Sequence, residues 1–185
     1  MANLTRRQWL GQLGPAALDA TAGAVERRIN RSFPSQSRPP GCVPEPLFQA
    51  LCTRCGACSE ACPYGAVFVF VDGVDAGTPV MRPEQRACHM CDGFPCASAC
   101  AEGALVVPDS PEVCSLGSAR IVERDCLPFA GPECGACADL CPPGVGALSI
   151  SQRRPVIDTE RCIGCGICIE ACPCSPPTIV LDPPA

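Results

Sequence analysis

The sequence predicts a small α+β protein, rich in loops, in which short β-hairpins and single helical turns surround clustered cysteines. Three observations lead there. The 185 residues include 19 cysteines but only one histidine, and aromatic residues make up 4% of the chain, so an ordinary apolar core is thin for this length. The thiols must supply cross-links or ligands. With 22 prolines and 17 glycines, tight turns are favoured over long helices or a large sheet. The cysteines also recur in four similar runs, which makes an internal repeat the strongest signal in the chain.

The first run, CTRCGACSEACP, places Cys52, Cys55, Cys58 and Cys62 at steps of three, three and four, with Pro63 next. The fourth, CIGCGICIEACP, repeats that spacing with Cys162, Cys165, Cys168 and Cys172. The second, CHMCDGFPCASAC, holds Cys88, Cys91, Cys96 and Cys100, with a longer step from Cys91 to Cys96 and Ala101 in place of proline. The third, CLPFAGPECGACADLCP, holds Cys126, Cys134, Cys137 and Cys141 and stretches its first step. Cys42, Cys114 and Cys174 are left over.

Three continuous thiolates of a C-x-x-C-x-x-C loop meet three corners of a [4Fe-4S] cube, and a distant cysteine followed by proline completes the fourth, as in bacterial two-cluster ferredoxins. The proline fixes φ and turns the chain away after that ligand. Gly56, Ala57, Gly164 and Gly166 let the backbone come close to the cube. Insertions between anchored ligands cost little, so the middle tetrads also read as complete sites with altered loops and altered reduction potentials. Zinc bound by four thiolates is the competing chemistry, but three or four cysteines crowded into one loop suit a cube with separated corners better than one small ion. Disulfides come last, because the spacing is poor for pairing. The expected content is four [4Fe-4S] clusters on sixteen cysteines, in two bacterial-ferredoxin-like two-cluster units.

The order of the motifs, LCTRCGACSEACPYGAV opening the series, CHMCDGFPC with its extra residues and the long-stepped CLPFAGPEC together resemble the ferredoxin-type proteins NapF, NapG and MauM, within the wider iron–sulfur subunits of the dimethyl sulfoxide reductase type. The likeness covers about residues 38 to 182. It implies an electron carrier, not an enzyme in itself, that relays single electrons to or from a redox enzyme complex. The alternative it carries is an accessory or maturation factor for a molybdenum-containing reductase. It implies partners among redox enzyme subunits, a molybdenum enzyme or a membrane-bound electron donor. Spacing alone pairs the tetrads sequentially, one with two and three with four. The resemblance favours nesting instead, with Cys172 completing the site of the first tetrad, Cys62 that of the fourth, Cys141 that of the second and Cys100 that of the third.

Between the tetrads, AVFVFVDG, ALVVPD, ARIVERD, ALSIS, RPVIDTE and TIVLD read as strands of small hairpins. Ser59–Cys62 and Ala138–Cys141 read as single helical turns. Residues 42–185 form the cluster domain, and residues 1–41 a basic arm and linker with a net charge of +4 against −9 for the rest, ending in SFPSQSRPPG. TRRQWL resembles a twin-arginine export signal, but GQLGPAALDATAGAV lacks a sustained apolar stretch, so the cytoplasm is expected, with periplasmic export as the alternative. No run reaches the ~20 apolar residues of a membrane span. The acidic balance of −5 and the lack of a phosphate-binding glycine loop argue against nucleic-acid or nucleotide partners. His89 is expected at the surface or shielding a cluster, and Cys42, Cys114 and Cys174 as spare thiols, with Cys174 an alternative ligand.

Overall fold

The computed structural model describes residues 37–184 except Val74 and Pro143. The arginine pair Arg6 and Arg7 and the rest of the expected arm up to Gln36 lie outside the described residues.

The first helix, α1 (Glu45–Leu51), follows Pro44 and carries a proline and Glu45 in its first turn, where a missing N–H and a negative charge are both tolerated. It buries Phe48 completely and ends at Cys52, whose N–H donates to the Phe48 carbonyl over 2.8 Å. The helix therefore delivers the first cysteine of the series. Sequence reasoning gave it no element.

Three single-turn helices follow the same plan: α2 (Ala57–Glu60), α3 (Pro95–Ser98) and, late in the chain, α5 (Ile167–Glu170). Each is entered through a left-handed residue, Gly56, Phe94 and Gly166, and each carries the third cysteine of its tetrad as its second residue. The turn expected at Ser59–Cys62 thus begins two residues earlier. The turn expected at Ala138–Cys141 is not helical: Asp139 takes a φ of 54°, which breaks the helix before it propagates. Instead, the stretched step of the third tetrad contains its own helix, α4 (Leu127–Ala130), with proline in its first turn.

Strands β1 (Val67–Val69) and β2 (Pro79–Met81) form one hairpin, and β4 (Leu148–Ser151) and β5 (Arg154–Ile157) another. Strand β3 (Ser118–Ile121) pairs antiparallel with the distant β6 (Ile179–Asp182), from Ser118 opposite Asp182 to Ile121 opposite Ile179. The second half of the body is therefore an outer strand pair enclosing an inner hairpin. The first half repeats this in abbreviated form. Its outer pair is a bridge between Cys42 and Leu105, extended by Val43 N–H to the Ala104 carbonyl at 3.2 Å and Val106 N–H to the Gly41 carbonyl at 2.8 Å. ALVVPD thus supplies a bridge and no full strand.

That outer pair corrects the expected linker. Residues 37–41 belong to the body, because the chain entering the first half must pair with the chain leaving it. Pro39 is fully buried, and Arg38, 5% exposed, binds Glu45 through two nitrogens at 2.6 and 3.1 Å, the Thr78 hydroxyl at 2.9 Å and the Pro79 carbonyl at 2.7 Å. Its guanidinium also lies 4.6 Å from the centre of the Phe48 ring. One buried cation thereby ties the entry strand to α1 and the first hairpin.

The two halves share one core, in which Phe48, Met81, Met90 and Leu105 of the first pack with Leu116, Val145 and Ile163 of the second. The seam is tight. Leu116 N–H donates to the Ile163 carbonyl at 2.8 Å, and Gly164 (φ +70°) has no room for a side chain, since a Cβ there stands 2.6 Å from the Gly117 carbonyl oxygen.

Candidate cluster sites

All nineteen cysteines are free thiols, so disulfides contribute nothing to the fold. Sixteen of them surround four hollows. Site I is lined by Cys52, Cys55 and Cys58 with Cys100, site II by Cys88, Cys91 and Cys96 with Cys62. Site III is lined by Cys126, Cys134 and Cys137 with Cys172, and site IV by Cys162, Cys165 and Cys168 with Cys141. Each hollow takes three thiols from one tetrad and the fourth from its sequential neighbour. The nested arrangement is overturned: Cys172 stands at the third tetrad, Cys62 at the second, Cys141 at the fourth and Cys100 at the first. The physical reason is the strand pairing above, which closes each half on itself and brings tetrad one against two and tetrad three against four.

Site I is the widest of the four hollows. Among the described residues no three Cys, His, Asp or Glu side chains draw close enough to share one metal ion, as a zinc tetrahedron requires. The thiols stand around the walls, in the arrangement a multi-atom cube with separated corners fits. The walls between them are apolar, with Val67, Met81 and Phe94 at site II and Val145, Ile157 and Ile163 at site IV.

The loops show how the backbone is bent to aim these thiols. Before the second cysteine of three tetrads, Arg54, Met90 and Gly164 all adopt positive φ, 61°, 47° and 70°. Only the glycine does so freely; the left-handed turn costs the other two about 1 kcal/mol each, which the surrounding contacts must offset.

The fourth cysteines share a polar contact. The Sγ of Cys62, Cys100, Cys141 and Cys172 each accepts a backbone N–H, from Ala66 at 3.3 Å, Leu105 at 3.4 Å, Leu148 at 3.3 Å and Thr178 at 3.5 Å. Burial pushes the Cys58 and Cys165 thiols up to about 11 and Cys88 and Cys168 up to about 12. A thiolate held that reluctantly needs a cationic partner, and cluster iron provides one. Cys172 is the exception. Burial opposes its thiolate, yet hydrogen bonds from Thr178 and Cys174 outweigh it and hold the thiol below its ordinary value.

Of the spare thiols, Cys114 is buried between the halves and burial lifts it to about 11, while Cys42, beside the first outer bridge, is lifted to about 12. Cys174 lines site III beside Cys172. His89 stacks on Tyr64 at the rim of site II, ring centres 3.8 Å apart, with Glu170 3.7 Å away. That matches a shielding position. Sequence reasoning missed Thr178, whose one distinguishing sign is a hydroxyl where the other three tetrads have apolar Ala66, Leu105 and Leu148.

A 4Fe-4S dicluster domain model matches residues 132–175, which holds most of tetrad three and all of tetrad four, and a 4Fe-4S binding domain model matches residues 47–68. The chain is 36% identical to the methylamine utilization ferredoxin-type protein MauM of Paracoccus denitrificans, over 88% of this chain and 75% of the relative. It is 32% identical to the ferredoxin-type protein NapG of Escherichia coli, over 92% and 80%. The chain belongs to the NapG/MauM/NapF group of ferredoxin-type proteins. NapF of Escherichia coli is 31% identical over 85% of this chain and 93% of its own. No solved structure matches. As a ferredoxin-type iron–sulfur protein of this group, the chain binds 4Fe-4S clusters.

Proposed function

We propose that the chain holds four [4Fe-4S] clusters, one at each site on the sixteen tetrad cysteines, and is a one-electron relay between partner redox proteins. When bound, each cube changes redox state by one electron without bond chemistry on a substrate, so the chain is a carrier and not a catalyst. The observation that carries this reading is the row in which the residues set the four sites. Helix α2, which carries Cys58 of site I, packs on α3, which carries Cys96 of site II; the N–H of Cys88 in site II donates to the Cys165 carbonyl in site IV at 2.7 Å; and Cys168 of site IV and Cys137 of site III pack against the same small core of Ala119, Ile169 and Ile179. The order is I, II, IV, III. The ends of this row face solvent: Cys55 is exposed at site I, and Glu133, Gly135 and Ala136 are exposed around Cys134 at site III. Buried thiols line every site, Cys58 in site I, Cys88 and Cys96 in site II, Cys165 in site IV and Cys126 in site III. A continuous row with an exposed thiol at one end and an accessible loop at the other is the arrangement a relay between a donor and an acceptor uses.

Anaerobically purified protein is expected to carry about sixteen iron and sixteen acid-labile sulfide per chain. Stoichiometric zinc without sulfide contradicts the proposal. The partners are redox enzyme subunits, with a molybdenum enzyme or a membrane-bound electron donor as the expected kinds; among the described residues no helix is long and apolar enough to cross a membrane. A cytoplasmic location is the expected outcome of cell fractionation, and a mature protein beginning near Gly23–Val25 in an exported fraction contradicts it.

A further inference from the structure

At Cys62, Cys100 and Cys141 the sulfur receives its N–H from a residue with an apolar side chain, Ala66, Leu105 or Leu148. At Cys172 the counterpart is Thr178, which gives its N–H at 3.5 Å and also places its hydroxyl 3.6 Å from the same sulfur. An iron-bound cysteine sulfur has no proton to give, so the hydroxyl is the donor. Thr178 is 4% exposed, and with water kept away the bond retains its strength. Cys174 lines the same hollow, and both its N–H and its thiol reach Cys172. One sulfur of site III is thus surrounded by donors of two residues, where its three counterparts each take one backbone N–H.

We infer that Thr178, assisted by Cys174, raises the reduction potential of site III, one end of the row. The inference builds on the relay proposed above. Hydrogen bonds to a ligand sulfur withdraw charge from it and favour the more negative, reduced form of the group it holds. The electron comes from a partner redox protein acting as a one-electron donor, and no bond is made or broken. Thr178 acts through Cys172 and is a positioning and tuning residue.

The test uses the full-length holo-protein and follows cluster signals by electron paramagnetic resonance during a potentiometric titration with dithionite. Cys134→Ser marks the site III signal, because it alters one ligand there. In Thr178→Val, which keeps the shape and removes the hydroxyl, that signal is expected to shift to lower potential while the other three stay in place and iron content is unchanged. Thr178→Ser is expected to restore the wild-type value. Cys174→Ala gives a smaller shift in the same direction and does not touch the threonine. Unmoved potentials in both Thr178→Val and Cys174→Ala, with all four clusters present, overturn the inference and leave the relay standing. A wild-type protein without four clusters overturns both.

Discussion

The backbone N–H of Cys88 donates to the carbonyl oxygen of Cys165 over 2.7 Å, so a cysteine of the second tetrad and one of the fourth hold each other in place across the seam between the halves. The bond joins the walls of two cluster sites through a single peptide contact. It also makes the geometry of the row depend on how tightly the seam is packed.

Gly164 sits at that seam with a φ of +70° and the Gly117 carbonyl where a Cβ has to go. Gly164→Ala is expected to lower stability by about 2–3 kcal/mol, from the left-handed backbone and the overpacking together. Thermal unfolding of the anaerobic holo-protein measures this, and a midpoint equal to wild type contradicts the seam as described.

Arg38 sets the true edge of the folded body. Arg38→Met leaves Glu45 facing Asp75 without its cation and is expected to cost about 3 kcal/mol. Deleting residues 1–36 is expected to leave all clusters in place, whereas deleting 1–41 is expected to lower thermal stability and iron content. Equal behaviour of the two deletions contradicts the assignment of residues 37–41 to the body.

The spare thiols Cys42 and Cys114 are lifted to about 12 and about 11, chiefly by burial. A raised thiol pKa means that the neutral form persists until the pH climbs past it, so at pH 8 both are protonated and poor nucleophiles. Iodoacetamide at pH 8 is expected to leave both unmodified in the holo-protein and to modify both after unfolding and cluster removal, as read by peptide mass spectrometry. Rapid modification of Cys114 in the intact protein contradicts its burial.

The sequence was explicit about the cysteines because ligand spacing is a local property: a cube meets three thiols of one short loop, and that loop is written in consecutive residues. The strands of ARIVERD, ALSIS, RPVIDTE and TIVLD were legible for a similar reason, being β-prone runs bounded by turns. What escaped was whatever depends on residues far apart. The pairing of Ser118–Ile121 with Ile179–Asp182, and the bridge of Cys42 with Leu105, decide which tetrads meet, yet no local signal announces either. Arg38 read as part of a proline-rich linker because its partners Glu45, Thr78 and Pro79 come later in the chain. Thr178 lies six residues beyond Cys172, and its hydroxyl matters only because the turn after the cysteine folds back onto the sulfur.

The pairing of tetrads is tested most directly with Cys100→Ala, studied by iron analysis and magnetic spectroscopy of the anaerobic protein. Since Cys100 lines the hollow of Cys52, Cys55 and Cys58, the account predicts a three-iron or labile cluster there, in a protein that keeps the cluster of Cys126, Cys134 and Cys137. Damage confined to the site of Cys126, Cys134 and Cys137, with the site of Cys52 intact, contradicts it.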